Sequence, residues 1–143
     1  MTSSTSLLFI FDTNTLISGA LIQNSIPSYS LQKAIKSGDL CFSKDTFLEL
    51  KEVLGRQKFD KYLSQAQRQE FFERIMQVSR FFYPKENFNV CRDPNDNKFL
   101  DLAYISEAQF LISGDNDLLI LDQFHQTEII SPFDFLKRTS QSI

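Results

Sequence analysis

The chain has 143 residues, 42% of them hydrophobic and 23% charged, with a net charge of −3. That size suits one hydrophobic core, so a single domain over residues 1–143 is expected, and the composition excludes a disordered chain. The negative balance gives no bulk attraction to nucleic acid, which excludes a nonspecific DNA-coating protein but not an enzyme whose site carries several carboxylates.

Fifteen Phe and no Trp make Phe the main bulky core residue, and four Gly and four Pro leave no room for a Gly-rich linker. No apolar run approaches the roughly 20 residues that span a bilayer. The apolar stretch Leu7–Phe11 has no basic flank and is too short for a signal-peptide core. No membrane association is therefore expected, and the expected compartment is the cytoplasm. Cys41 and Cys91 are too few for a disulfide framework or a Cys-rich zinc site and read as small buried apolar residues. The lone His125 reads as a surface or loop residue, so mechanisms built on several histidines are disfavoured. Residues 1–6 and 139–143 are Ser/Thr-rich and are expected to be flexible ends.

In chain order, Leu7–Phe11 is apolar on both faces, as a strand buried in a parallel sheet must be, and it stops at Asp12. Thr13–Leu21 has helical spacing, with Leu16, Ile17, Ala20 and Leu21 on one face. Ser28–Lys36 is a second amphipathic helix, stopped by Gly38. Leu40–Phe42 is a short strand, followed by a helix over Ser43–Leu54 that Gly55 ends. Ser64 to Gln67 has capping-box form and opens a helix carrying Phe71, Phe72, Ile75 and Met76. An edge strand is expected within Arg80–Pro84. Asp93-Pro94-Asn95-Asp96 opens another helix, Phe110–Ser113 is a strand, and Leu118–Leu121 is a helical turn. Glu128–Ile130 is the last strand, and Ser131-Pro132 starts a final helix as N-cap and first-turn proline. This alternation predicts a three-layer α/β/α fold on a mainly parallel sheet.

Ligands of open α/β sheets bind beyond the carboxyl ends of the strands. Asp12 and Asp115 stand at two such ends, with Asp117 two residues further, and Asp93 and Asp96 crowd a helix start. Any one of them reads equally as a turn or N-cap residue. Glu49 sits at the border of the buried stripe of its helix, whereas Glu52, with Lys51 and Arg56 nearby, reads as helix decoration. Gathering such acids in one place is unfavourable unless a divalent cation sits among them, and all-oxygen sites suit Mg²⁺ or Mn²⁺. Such sites hydrolyse phosphodiesters with an activated water. Dinucleotide, NTPase and serine-hydrolase glycine motifs are all missing from the chain.

Four segments in this order resemble the PIN domain family, the metal-dependent ribonuclease fold of many prokaryotic toxins. They are Asp12-Thr13-Asn14 after the first strand, Ser43 to Leu50, Asp93 to Ala103, and Leu111 to Leu119. The resemblance covers Leu7 to about Phe135 and implies a five-stranded, mainly parallel sheet. It implies Asp12, Glu49, Asp96 and Asp115 as the metal-binding acids, with Asp117 supplementary and Asp93 competing with Asp96. It further implies one or two Mg²⁺ or Mn²⁺ ions, an RNA substrate, a homodimer and a cognate antitoxin. Asn14 would hold the first acid or the scissile phosphate. Lys44, Lys51, Arg56 and Lys98 are candidate phosphate contacts, each reading more readily as a solvated surface charge. The rival readings are a phosphatase or phosphotransferase with Asp12 as nucleophile, a phospho-acceptor signalling domain, and a binding module of the same fold without turnover.

Overall fold

The computed structural model describes residues 7–138, so both ends expected to be flexible lie outside the described residues. Strand β1 (Leu7–Phe11) leads into α1 (Thr13–Leu21) and α2 (Ile26–Ser37), followed by β2 (Gly38–Phe42) and α3 (Lys44–Leu54). A 3₁₀ turn at Gln57–Phe59 precedes α4 (Gln65–Gln77) and β3 (Ser79–Phe81). A second 3₁₀ turn at Pro94–Asp96 runs into α5 (Asn97–Ser106), β4 (Phe110–Ile112) and α6 (Asn116–Leu119). The chain continues through β5 (Gln123–Phe124) and β6 (Thr127–Ile130) to α7 (Pro132–Lys137).

The strands form one sheet in the order β3-β2-β1-β4-β6-β5. All neighbours are parallel except the β5–β6 pair. The sheet thus has six strands rather than the five expected. The extra one, β5, is a two-residue antiparallel partner of β6 at the edge, too short to leave a periodic signal in the sequence. The other expected elements appear with shifted ends. The edge strand is Ser79–Phe81 rather than within Arg80–Pro84. Helix α2 begins at Ile26, because Ser25 caps it and Pro27 occupies its first turn. The expected turn at Leu118–Leu121 begins two residues earlier, behind the Asp115 cap.

Alternation along the central strands divides the core in two. Phe9, Phe11 and Phe42 face a cluster with residues of α1, α2, α3, α4 and α7, while Ile10, Cys41 and Leu111 face one built largely from α5. Both faces of the sheet are covered, which is why its strands are continuously apolar. On the first face Phe9, Phe110 and Phe135 stack pairwise with centroids 5.5–6.1 Å apart. Each such pair contributes about 0.5–1.5 kcal/mol beyond the area it buries. Both cysteines are free and buried, and His125 is exposed in the β5–β6 turn.

Close strand approach constrains one residue. A Cβ on Gly38 would lie 2.1 Å from the Leu7 carbonyl oxygen, so any side chain there would push β2 away from β1. From β1 the chain builds outward through β2 to β3 and then crosses to β4 on the other side. This topological switch opens a crevice at the carboxyl ends of β1 and β4.

Candidate metal centre

Asp12 follows the last residue of β1 and Asp115 lies three residues beyond β4, so strand pairing alone brings two acids to the crevice. Asp12 is buried and caps α1, accepting the Thr15 amide at 2.7 Å on Oδ1. Its Oδ2 accepts the Ser113 hydroxyl. Asp115 caps α6, accepting the Asp117 amide at 2.9 Å, and its own amide donates to Ser113 Oγ at 2.9 Å. One serine hydroxyl therefore ties the two strand ends together.

Asp96 comes from the opposite direction. Asp93 caps the 3₁₀ turn at Pro94–Asp96 by accepting the Asn95 amide at 3.0 Å, and the turn carries Asp96 into the crevice. There the Asp96 carboxyl is buried, and its Oδ2 has no hydrogen-bond partner among the described residues. Carboxylate oxygens of Asp96, Asp115 and Asp117 all lie within 4.8 Å of one another. Burial first, then the adjoining Asp115 carboxyl and the charges of Asp93 and Asp12, push Asp96 up to about 7. Burial likewise raises Asp12, against the lowering effect of its hydrogen bonds from Ser113 and Thr15.

These residues border a cavity of about 600 Å³ whose wall includes Asp12, Asn14, Glu49, Asp93, Asp96 and Asp115. Asn14 is exposed at its rim. Asp117, in the same cluster as Asp96 and Asp115, also pairs with Arg92 at 3.0 Å. Glu49 lines the wall but is already engaged. The Thr13 hydroxyl donates to one oxygen, and Lys98 Nζ lies 2.9 Å from the other. Lys98 thus has a carboxylate partner. Lys98 and Lys44 border a separate cleft of about 200 Å³. Of the basic residues considered for phosphate contact, Arg56 borders the main cavity, held by an exposed bidentate pair with Glu52.

The donor set fits a hard divalent cation. A desolvated carboxyl oxygen without a donor, beside two further carboxylates and with no His or Cys in the cluster, calls for a small cation with oxygen preference. Ser113, Thr13 and Thr15 escaped the sequence reading as supporting residues. The signal was a polar residue closing an otherwise apolar strand at Ser113, and threonines on either side of Asn14 just after Asp12. Thr15 uses its hydroxyl to accept the Gly114 amide at 3.2 Å, fixing the turn that carries Asp115.

Comparison with known proteins agrees with this architecture. The family model described as PIN domain matches residues 9–117, which include Asp12, Glu49, Asp96 and Asp115. An uncharacterized protein of Methanocaldococcus jannaschii, MJ1680, is 35% identical over 114 residues, covering 78% of this chain and 73% of that protein. The fold is similar to that of VapBC2 from Rickettsia felis, solved bound to a DNA fragment from their promoter. There the TM-score is 0.59 at 11% identity, with 87% of this chain and 98% of that chain covered. It is equally similar to PAE2754 of Pyrobaculum aerophilum, with a TM-score of 0.60, 16% identity and coverage of 95% and 91%. Strand order, acid placement and the family match together make this chain a member of the PIN domain family.

Proposed function

We propose that the protein is a metal-dependent endoribonuclease in which Asp12, Asp96 and Asp115 hold one or two Mg²⁺ or Mn²⁺ ions. The observation that carries this reading is the buried, donorless Oδ2 of Asp96 within reach of the Asp115 and Asp117 carboxylates. Held by these carboxylates, a divalent cation would supply the positive charge the cluster lacks, and with it the chemistry of water ionisation and charge stabilisation at a phosphate. Ser113 and Thr15 hold Asp12 in one orientation before any substrate arrives. Glu49, fixed from both sides by Thr13 and Lys98, orients the attacking water and takes up its proton. Asn14, at the exposed rim, meets the scissile phosphate, and Asp117 serves as a supplementary ligand to the cation. In-line displacement then releases the 3′ oxygen of the preceding nucleotide.

Resemblance to PIN toxins supports RNA as the substrate, a cognate antitoxin that covers the cavity, a homodimer as the working assembly, and action in the cytoplasm as one domain. VapBC2, which shares this fold, was solved on promoter DNA, and the antitoxin is the partner proposed here. No helix among the described residues is long and apolar enough to cross a membrane. The phosphatase alternative fits less well, because the position two residues after Asp12, where phosphatases of that kind carry a second acid, holds Asn14.

Incubation of the purified chain with single-stranded RNA in Mn²⁺ or Mg²⁺ tests the reading. Cleavage that EDTA stops and Asp12→Asn abolishes, with the variant's circular dichroism unchanged, is expected. Intact RNA beside phosphate release from a small phosphomonoester would favour the phosphatase instead.

A further inference from the structure

The chain is acidic overall, yet one stretch beside the cavity is basic. Between Lys51 and Arg68 stand Lys51, Arg56, Lys58, Lys61 and Arg68 against only Glu52 and Asp60. This stretch spans the end of α3, the 3₁₀ turn at Gln57–Phe59 and the first turn of α4. A cleft of about 270 Å³ lies within it, bordered by Lys51, Gly55, Gln65, Arg68 and Gln69. The main cavity lies on the other side of the same last turn of α3, for Val53 and Arg56 border the cavity while Leu54 and Gly55 border the cleft.

Two independent features make this cleft suited to an oxyanion. Arg68 is only 5% exposed, and among the described residues its one ion pair is Nη2 to Asp60 at 2.8 Å, while buried Nε and Nη1 have no acceptor there. A guanidinium has five donors and no acceptor, and leaving buried donors unpaired costs about 1–3 kcal/mol for each group. The second feature is the N-terminus of the 13-residue α4, where donor groups and helix dipole both favour an anion. The Ser64 cap takes the Gln67 amide, so the Gln65 and Ala66 amides receive no partner from it.

We infer that this cleft binds a backbone phosphate of the nucleic-acid strand flanking the cleavage site, with Lys51 and Arg68 as its charged contacts and Arg56 bridging from the main cavity. The inference rests on the nuclease reading above and adds to it a second phosphate subsite that sets how long a substrate must be. Exposed Tyr62, 60% accessible on the same stretch, offers a ring for stacking a flanking base.

Fluorescence anisotropy with a labelled 12-nucleotide oligouridylate in EDTA, where no cleavage occurs, tests it. Arg68→Lys and Lys51→Gln are each compared with the parent chain, the second because buried Arg68 is also a folding risk. Each variant is expected to bind roughly 5–10-fold more weakly; the slope of log affinity against log salt falls by about 1 in Lys51→Gln, which removes a charge, and stays near the parent value in Arg68→Lys, which keeps one. Unchanged affinity and slope in Lys51→Gln, with RNA still cut in Mn²⁺, would overturn this subsite and leave the nuclease reading standing. No cleavage and no binding by the parent chain would overturn the reading beneath it. Displacement of the oligonucleotide by polyglutamate, with Lys51→Gln affecting only the peptide, would assign the cleft to an acidic protein partner and also overturn the inference.

Discussion

The Ser113 hydroxyl donates to Oδ2 of Asp12, joining residues 101 positions apart in the chain at the ends of adjacent parallel strands. Ser113 Oγ in turn accepts the Asp115 amide, so this one serine sets the spacing of two acids. Replacing it by alanine leaves Asp12 with the Thr15 amide alone. Ser113→Ala is expected to cost about 1–2 kcal/mol in stability. Its Mn²⁺ affinity should fall roughly 10–100-fold, as for other groups that orient metal ligands. Urea unfolding measures the first effect and calorimetric titration with MnCl₂ the second, and wild-type affinity would show that Asp12 needs no such support.

Crowded acids should make the metal-free protein sensitive to pH in a direction opposite to most proteins. Folded Asp96 keeps its proton up to about 7, whereas an unfolded chain releases it near the ordinary 3.8. Between those values the folded state binds more protons, so stability falls as pH rises through the window and levels off above it. Raised Asp12 adds in the same direction. The melting temperature in EDTA should drop by about 5 °C or more from pH 5 to pH 7.5. Millimolar Mn²⁺ should remove the drop, and Asp96→Asn should remove much of it without metal. A metal-free melting temperature that is flat or rises over this range would show that the carboxyls do not repel.

Lys98 neutralises Glu49 at the cavity wall. Lys98→Met removes that charge while Thr13 still holds the other oxygen. The cavity becomes more negative, so Mn²⁺ affinity should rise, roughly 3–10-fold, while the metal-free chain melts lower. Weaker Mn²⁺ binding in the variant would instead make Lys98 a support for the site rather than a competitor of the ion.

Gly38 lies where β2 runs against the central strand β1. Its backbone is extended, with φ of 177°, so the demand for glycine is one of space. Gly38→Ala should destabilise the protein by about 3 kcal/mol in urea unfolding, because neither strand can retreat from the packed sheet. An alanine variant as stable as the parent would mean that β2 can shift along its edge.

Much of this was legible in the sequence because burial writes strong patterns. Strands covered on both faces read as unbroken apolar runs, as in Leu7–Phe11 and Phe110–Ile112, and Ser43, Ser64 and Ser131 announce their helices by capping. The order of acids after those strands suggested the crevice before its geometry was in view. Illegible parts depend on three-dimensional meetings. Two-residue β5 exists only because β6 offers an edge. The Thr13–Glu49–Lys98 chain joins three elements that no local pattern connects. Arg68 likewise sits on a helix whose periodicity gives no reason to bury a guanidinium.

The central claim is that Asp12, Asp96 and Asp115 share a divalent cation. Anomalous diffraction from crystals grown in MnCl₂ tests it most directly. The account predicts a manganese peak coordinated by Asp96 and Asp115, with Asp12 in its shell and the Asp96 Oδ2 finally partnered. A difference map with no peak among these carboxylates, and manganese only on the outer surface, would contradict it.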